Sequence, residues 1–142
     1  VWGVPSPIAG KINIPITSYL GKKKISFSQN SKEAITLYKT INTYQNKFSL
    51  IECKILTGRT HQIRVHLLSK GCPLIGDKVY AKGRNMKKNT NKNIANFIDN
   101  YSRQALHALK ITFMHPIDNN VLKFNADKPK DFLRLEQVLF ED

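Results

Sequence analysis

Two arginines, two histidines, a glutamine and two threonines fall within the eleven residues Thr57-Gly58-Arg59-Thr60-His61-Gln62-Ile63-Arg64-Val65-His66-Leu67. A pair of guanidinium groups suits a phosphate, or a carboxylate that must stay ionised in a partly buried site, because the planar fork offers either anion paired hydrogen bonds. The spacing separates neither ligand from the other, nor both from solvated charges on a surface helix. A metal is a poorer match. The possible ligands are His61, His66, His107, His115, Cys53 and Cys72, but His61 and His66 are five apart and so point to different faces of a helix. No Cys-x-x-Cys or His-Glu-x-x-His pattern occurs. A hydrolase with His61 as base and Cys53 or Ser69 as nucleophile lacks an orienting carboxylate in a recognisable motif. Asp77, after Gly76, is expected to accept backbone hydrogen bonds in a turn.

The elements that must position these residues follow from periodicity. Ser49 to Leu56 alternates, with Ile51, Cys53 and Ile55 on one side and Glu52 and Lys54 on the other, the period of a half-buried strand. Gly58 ends it. Ile63 and Leu67 then recur at helical spacing, Thr60 is the expected N-cap, and Gly71 followed by Pro73 supplies the stop. The pattern predicts strand, tight turn and short helix, with Arg59 in the turn and His61 and Arg64 on one helical face. The free N–H groups of such a helix start favour anions.

Composition bounds the rest. The 142 residues allow one domain, and 41% hydrophobic content is enough for a core. Twenty-three Lys and Arg against ten Asp and Glu give a net charge of +13, which points to a polyanionic partner, nucleic acid before membrane. No apolar run approaches transmembrane length and no signal-peptide pattern opens the chain, so a soluble, intracellular, cytoplasmic protein is expected. Cys53 and Cys72 are expected as reduced thiols. Val1 to Gly21 reads as an edge strand or extended arm, since Pro15 forbids a central strand. Lys22-Lys23-Lys24 reads as a turn, either a phosphate-binding cluster or simply solvated. Lys32 to Tyr44 and Phe48 to Leu56 form an antiparallel pair through Gln45-Asn46-Lys47. Lys78 to Asn100, with Lys82, Lys87, Lys88 and Lys92, reads as a long polar loop or partly disordered insertion, closed by a short helix over Asn93 to Tyr101. A hairpin follows, from His107 to Phe113 and back through Val121 to Ala126 around Asp118-Asn119-Asn120. An amphipathic helix with Phe132, Leu135, Val138 and Leu139 ends the chain.

The run Thr57 to His66, then Pro73-Leu74-Ile75-Gly76-Asp77 and Tyr80, then Arg103-Gln104-Ala105-Leu106-His107-Ala108 and His115-Pro116, resembles the RluA-type family of RNA pseudouridine synthases. Ala34-Ile35-Thr36-Leu37-Tyr38-Lys39 resembles the strand leading to that motif. The similarity runs from about Val1 to about Leu135, and the wording around Arg103 to Ala108 is most like synthases of large-subunit ribosomal RNA. The resemblance implies an α+β fold with a mixed, mainly antiparallel sheet and a few short helices, the C-terminal half of a synthase catalytic domain. It implies a reaction without cofactor or metal, isomerising uridine to pseudouridine in ribosomal RNA. The family's nucleophilic aspartate lies in a motif of the type His-Arg-Leu-Asp, upstream of the part corresponding to Val1, and no such motif occurs in these residues. The chain is therefore expected to be a C-terminal portion, residues 1–142 of a partial catalytic domain, inactive alone. The alternative is a catalytically inactive RNA-binding module. Arg64 is the expected ion-pair partner of that aspartate, with Arg59 second. RNA contacts are expected from Arg59, Thr60, His61, Gln62, Tyr80, Lys22, Lys23 and Lys24. The oligomeric state and the uridine modified stay open.

Overall fold

A computed structural model describes residues 1–82 and 90–140. Lys87 and Lys88 of the expected polar loop lie outside the described residues. The chain divides into two compact units, Val1–Ala105 and Leu106–Asp142.

In the first unit, β1 (Ala9–Asn13), β4 (Ile35–Tyr44) and β5 (Phe48–Ile55) form an antiparallel sheet in the order β1-β4-β5. The expected edge role of the first segment holds. Ile14-Pro15 breaks it, because proline brings no N–H to a ladder, and the chain resumes as β2 (Ile16–Tyr19). The Lys22-Lys23-Lys24 segment is a strand and not the expected turn. Leu20 and Gly21, at φ 47° and 73°, make the reversal two residues earlier, so the lysines pair with β2 as β3 (Lys22–Ile25). The β4–β5 hairpin turns where expected. Gln45 and Asn46 both take left-handed φ, 48° and 54°, and the Lys47 N–H donates to the Tyr44 carbonyl at 2.8 Å. A register shift between Thr40 and Asn42 turns Ile41 outward, so this apolar residue of the strand is exposed. Ile55 is also exposed, at the end of its strand.

The β5 strand feeds α1 (Gln62–Ser69), and α2 (Lys92–Asp99) closes the polar segment close to its expected position. The Asn91 side chain caps α2 by accepting the Asn93 N–H at 2.8 Å. The Phe48 and Trp2 rings meet tilted at 41° with centroids 5.0 Å apart, both buried, and Val65 and Leu67 of α1, Leu74, Ile75, Ile98 and Tyr101 are buried as well. Val65 packs with Ile16 and Ala34, with Tyr80 against that cluster. The inward face of α1 is thus fixed by apolar contacts, each fully buried side chain contributing about 1.5–3 kcal/mol. Cys53 and Cys72 are free thiols, and burial pushes Cys53 up to about 11.

The second unit pairs β6 (Lys110–Met114) with β7 (Val121–Asn125) through a turn holding Asn119 at φ 58°, and ends in α3 (Lys130–Phe140). The hairpin is the expected one, but it begins at Lys110 rather than at His107. The His107 Nε2–H donates to the Ala126 carbonyl at 2.9 Å, where the side chain rather than the strand ladder satisfies the backbone. Leu135 and Leu139, four apart, are the buried face of α3.

Candidate functional site

The residues between β5 and α1 are held by one buried glutamine. Gln62 is 3% exposed. Its Oε1 accepts from the Thr57 hydroxyl at 2.8 Å and the Arg59 N–H at 3.0 Å, and its Nε2 donates to the Ile35 carbonyl at 3.0 Å and Thr36 Oγ1 at 3.1 Å. Thr57 Oγ1 in turn accepts the Ile35 N–H at 2.8 Å. The chain of bonds continues inward. His66 Nε2 lies 2.8 Å from the Ile14 carbonyl, which can only accept, so Nε2 carries the proton and Nδ1 accepts from the Thr36 hydroxyl at 2.9 Å. Burial lowers the His66 pKa, against the smaller opposing effect of the Ile14 bond, and keeps this neutral tautomer. The network spends each donor and acceptor of the Gln62 amide, as a buried polar group requires.

Thr60 is not the N-cap. His61 occupies that position at φ 58° with no side-chain capping bond, and the reach-back bond from Gln62 to the Arg59 N–H steadies the turn instead. The helix ends as expected: Gly71 at φ 74° donates to the Leu68 carbonyl and Cys72 to the Leu67 carbonyl, both at 2.9 Å, a Schellman pair. Pro73, Leu74 and Ile75 are buried and deliver the chain to Gly76 and Asp77. Gly76 sits at φ 73°, and a Cβ on it would lie 2.0 Å from the Arg103 carbonyl oxygen. The Ala105 N–H donates to the Ile75 carbonyl at 2.8 Å beside it. The Arg103-Gln104-Ala105 segment thereby fixes where Asp77 stands.

Asp77 is 4% exposed and meets Arg64 side-on, with Nε to Oδ2 at 2.7 Å and Nη2 to Oδ1 at 2.8 Å. Oδ1 also accepts the Val79 and Tyr80 N–H groups, each at 3.0 Å. Burial works against the carboxylate, but the Arg64 bond and the two backbone bonds outweigh it and hold its pKa below the ordinary value. The Arg64 pKa is raised, first by its bond to Asp77. Tyr80 completes the group. Its ring lies 4.8 Å from the Arg64 guanidinium carbon, and its hydroxyl accepts the Lys23 N–H at 3.0 Å and shares a bond with His61 Nδ1 at 2.9 Å. Desolvation and the positive charge of Arg64 lower the His61 pKa.

The structure therefore brings Arg64, His61, Tyr80 and the Lys23 backbone together. Arg59 and Thr60 are exposed on the turn, with Arg59 Nε donating to the Glu33 carbonyl at 2.8 Å. Lys22 and Lys24 are exposed on β3, Lys24 standing 4.0 Å over the Tyr19 ring. Gln62 faces inward, with both ends of its amide engaged. Asp77 accepts the expected backbone bonds, but its pairing with Arg64 is an addition that sequence spacing did not reveal. The only signal was a lone acid in a stretch with two arginines. Thr36 and Thr57 were likewise missed, since a hydroxyl in a strand looks like strand propensity. Chemically, a guanidinium presents two edges, and Asp77 takes the Nε/Nη2 edge. The Nη1/Nη2 edge can receive a second anion. Among the described residues no three of His, Cys, Asp or Glu come together as a metal cluster, and no helix is long and apolar enough to cross a membrane.

Residues 4–69 match the family described as RNA pseudouridylate synthase. The ribosomal large subunit pseudouridine synthase D of Zymomonas mobilis is 36% identical over 140 residues, covering 96% of this chain and 42% of that protein. The protein of the same name from Blochmanniella floridana is 35% identical over 144 residues, 98% of this chain and 44% of that one. The chain spans about two fifths of the length of these curated relatives. Among solved structures, human RNA pseudouridylate synthase domain containing 4 superposes with a TM-score of 0.73 at 25% identity, covering 97% of this chain and 59% of that one. Human RNA pseudouridylate synthase domain containing 1 gives 0.72 at 23% identity and shares the fold, covering 97% of this chain and 55% of that chain. An α+β architecture of antiparallel sheets, the motif around the Arg64–Asp77 pair and matches along almost the whole chain lead to one conclusion: the chain is similar, over nearly its full length, to RNA pseudouridylate synthases.

Proposed function

We propose that this chain is the C-terminal part of the catalytic domain of an enzyme that isomerises uridine to pseudouridine in large-subunit ribosomal RNA. The observation that carries the proposal is the side-on Arg64–Asp77 pair, which leaves the end-on edge of a fixed guanidinium for a second carboxylate. In the proposed reaction the uridine is flipped from its stack, and a carboxylate attacks, in a segment the family resemblance places upstream of Val1. The carboxylate bonds to C1′ as the C1′–N1 bond breaks, the base rotates, and C5 bonds to C1′ as the bond to the carboxylate breaks. The proton on C5 leaves and N1 gains one, so the product is an isomer of the substrate.

Arg64 holds the attacking carboxylate ionised and oriented through its second edge, and Asp77 and the Tyr80 ring keep the guanidinium in place. Gln62 acts as a positioning residue for the turn, and Arg59, Thr60, His61 and the β3 lysines face the RNA backbone. The net charge of +13 supplies the general attraction to a polyanion. No cofactor takes part in this scheme. The test is to map pseudouridines in large-subunit ribosomal RNA from cells lacking the gene. One position should revert to uridine and be restored by the wild-type gene but not by Arg64→Lys. An unchanged map would overturn the proposal.

A further inference from the structure

A concavity lies beside the motif turn, lined by Gly58, Arg59 and Thr60 and by residues of β2 and β3, and neither Arg64 nor Asp77 lines it. It measures about 320 Å³, and its walls carry Lys23, Lys32, Arg59, Asn30, Ser18 and the backbone of Gly58. Among the described residues no acidic and no aromatic side chain lines it. Its walls are fixed: the Lys32 and Ile16 backbones exchange two bonds of 2.9 Å, the Lys23 N–H is tied to Tyr80, and Arg59 Nε is tied to the Glu33 carbonyl. That last bond leaves both Arg59 Nη groups for a ligand. Gly58 has open space where a Cβ would stand, so a ligand can approach its backbone closely.

Three cations in one concavity repel each other unless an anion joins them. Without an aromatic wall the pocket offers no stacking surface for a base. We propose that it is a subsite for a phosphodiester of the RNA backbone, gripped by Lys23, Lys32 and Arg59 and separate from the Arg64–Asp77 centre. The subsite rests on the RNA reading given above. The volume falls in the range of small-molecule sites, roughly 300–1,000 Å³, with room for the phosphate and its ribose. Because the Tyr80 hydroxyl holds the Lys23 N–H and its ring lies against Arg64, the same tyrosine braces both sites.

The test measures binding of a fluorescent stem-loop RNA by anisotropy across salt concentrations, for the chain and for Lys32→Ala and Lys32→Glu. Lys32 is exposed, so neither change disturbs the core. Loss of one phosphate contact flattens the slope of log K against log salt by about 0.7–0.9, which at 0.1 M salt is about 5- to 8-fold weaker binding. Lys32→Glu should weaken it further, while Lys54→Ala, on the exposed side of β5, should leave the affinity within about 2-fold. If the chain binds RNA and both Lys32 variants match its affinity and slope, the subsite is wrong and the RNA reading stands. If the chain itself binds no RNA, it is the underlying reading that fails. Inorganic phosphate provides the last arm, followed through the Gly58 amide resonance. Saturation by free phosphate at concentrations that leave RNA bound would assign the pocket to a small anion and overturn the proposal.

Discussion

Replacing Arg64 by lysine keeps the charge and removes the fork. The structure sets the size of the effect. Arg64 gives Asp77 two charge-assisted bonds of 2.7 and 2.8 Å, and its other edge is the one proposed above to hold the attacking carboxylate. An ammonium on a flexible stem satisfies one partner at a time, so at least one charge-assisted bond is lost, worth about 1.5–3 kcal/mol. Since tenfold in rate corresponds to about 1.4 kcal/mol, single-turnover isomerisation should slow by about 10- to 100-fold if the lost bond serves the transition state. RNA affinity, which depends on net charge and many phosphate contacts, should stay within about 2-fold. The assay is tritium release from RNA labelled at uridine C5, with enzyme in excess, beside an equilibrium binding measurement. The protein used carries this chain joined to the segment with the aspartate. Equal rates for wild type and variant would refute the second-edge role, and so would a rate loss matched by an equal loss of affinity.

Three further outcomes follow from particular atoms. Gly76→Ala places a methyl 2.0 Å from the Arg103 carbonyl at φ 73°; left-handed backbone alone costs about 1–2 kcal/mol, so a stability loss above about 2 kcal/mol is expected in denaturant titration. An unchanged midpoint would show that the Arg103 segment is not fixed there. His66 has a folded pKa below its ordinary value of 6.5, so the unfolded chain binds its proton more readily; stability is complete above about pH 6.5 and falls as pH drops from there towards the folded value. His66→Gln should remove that part of the pH dependence, and a variant whose stability still falls in the same window would contradict the assignment. The 142 residues alone should bind RNA and release no tritium, because Arg64 assists an attack but does not supply the attacking oxygen. Turnover by the isolated chain would make an acid within it the nucleophile.

Much of the fold was legible because its signals are local. Alternation located β5 and the β6–β7 hairpin, Gly71 and Pro73 marked the end of α1, and Pro15 marked the break between β1 and β2. Errors arose where conformation depends on contacts distant in sequence. Lys22 to Lys24 look like a solvated turn, yet pairing with β2 makes them a strand, and the Tyr80 hydroxyl helps to hold it. Thr60 has a good capping side chain, but left-handed His61 moves the cap by one residue. At the site, Arg59, His61 and Arg64 stood out by type and spacing, and Tyr80 through the family resemblance. Their organisers did not. Asp77 is thirteen residues from Arg64, and Gly76 is confined by Arg103, twenty-seven residues further on. No periodicity connects such pairs, so the ion pair, the Gln62–Thr36–His66 network and the cationic pocket became visible only in three dimensions.

The central claim is that this chain presents Arg64 to a carboxylate that isomerises uridine. It is tested most directly by single-turnover tritium release from C5-labelled large-subunit ribosomal RNA, using the protein that joins these residues to the His-Arg-Leu-Asp segment. The expected result is release of one equivalent of tritium, with pseudouridine recovered in its place, and none when that aspartate is changed to asparagine. Intact protein that binds the RNA and leaves every uridine unchanged would contradict it.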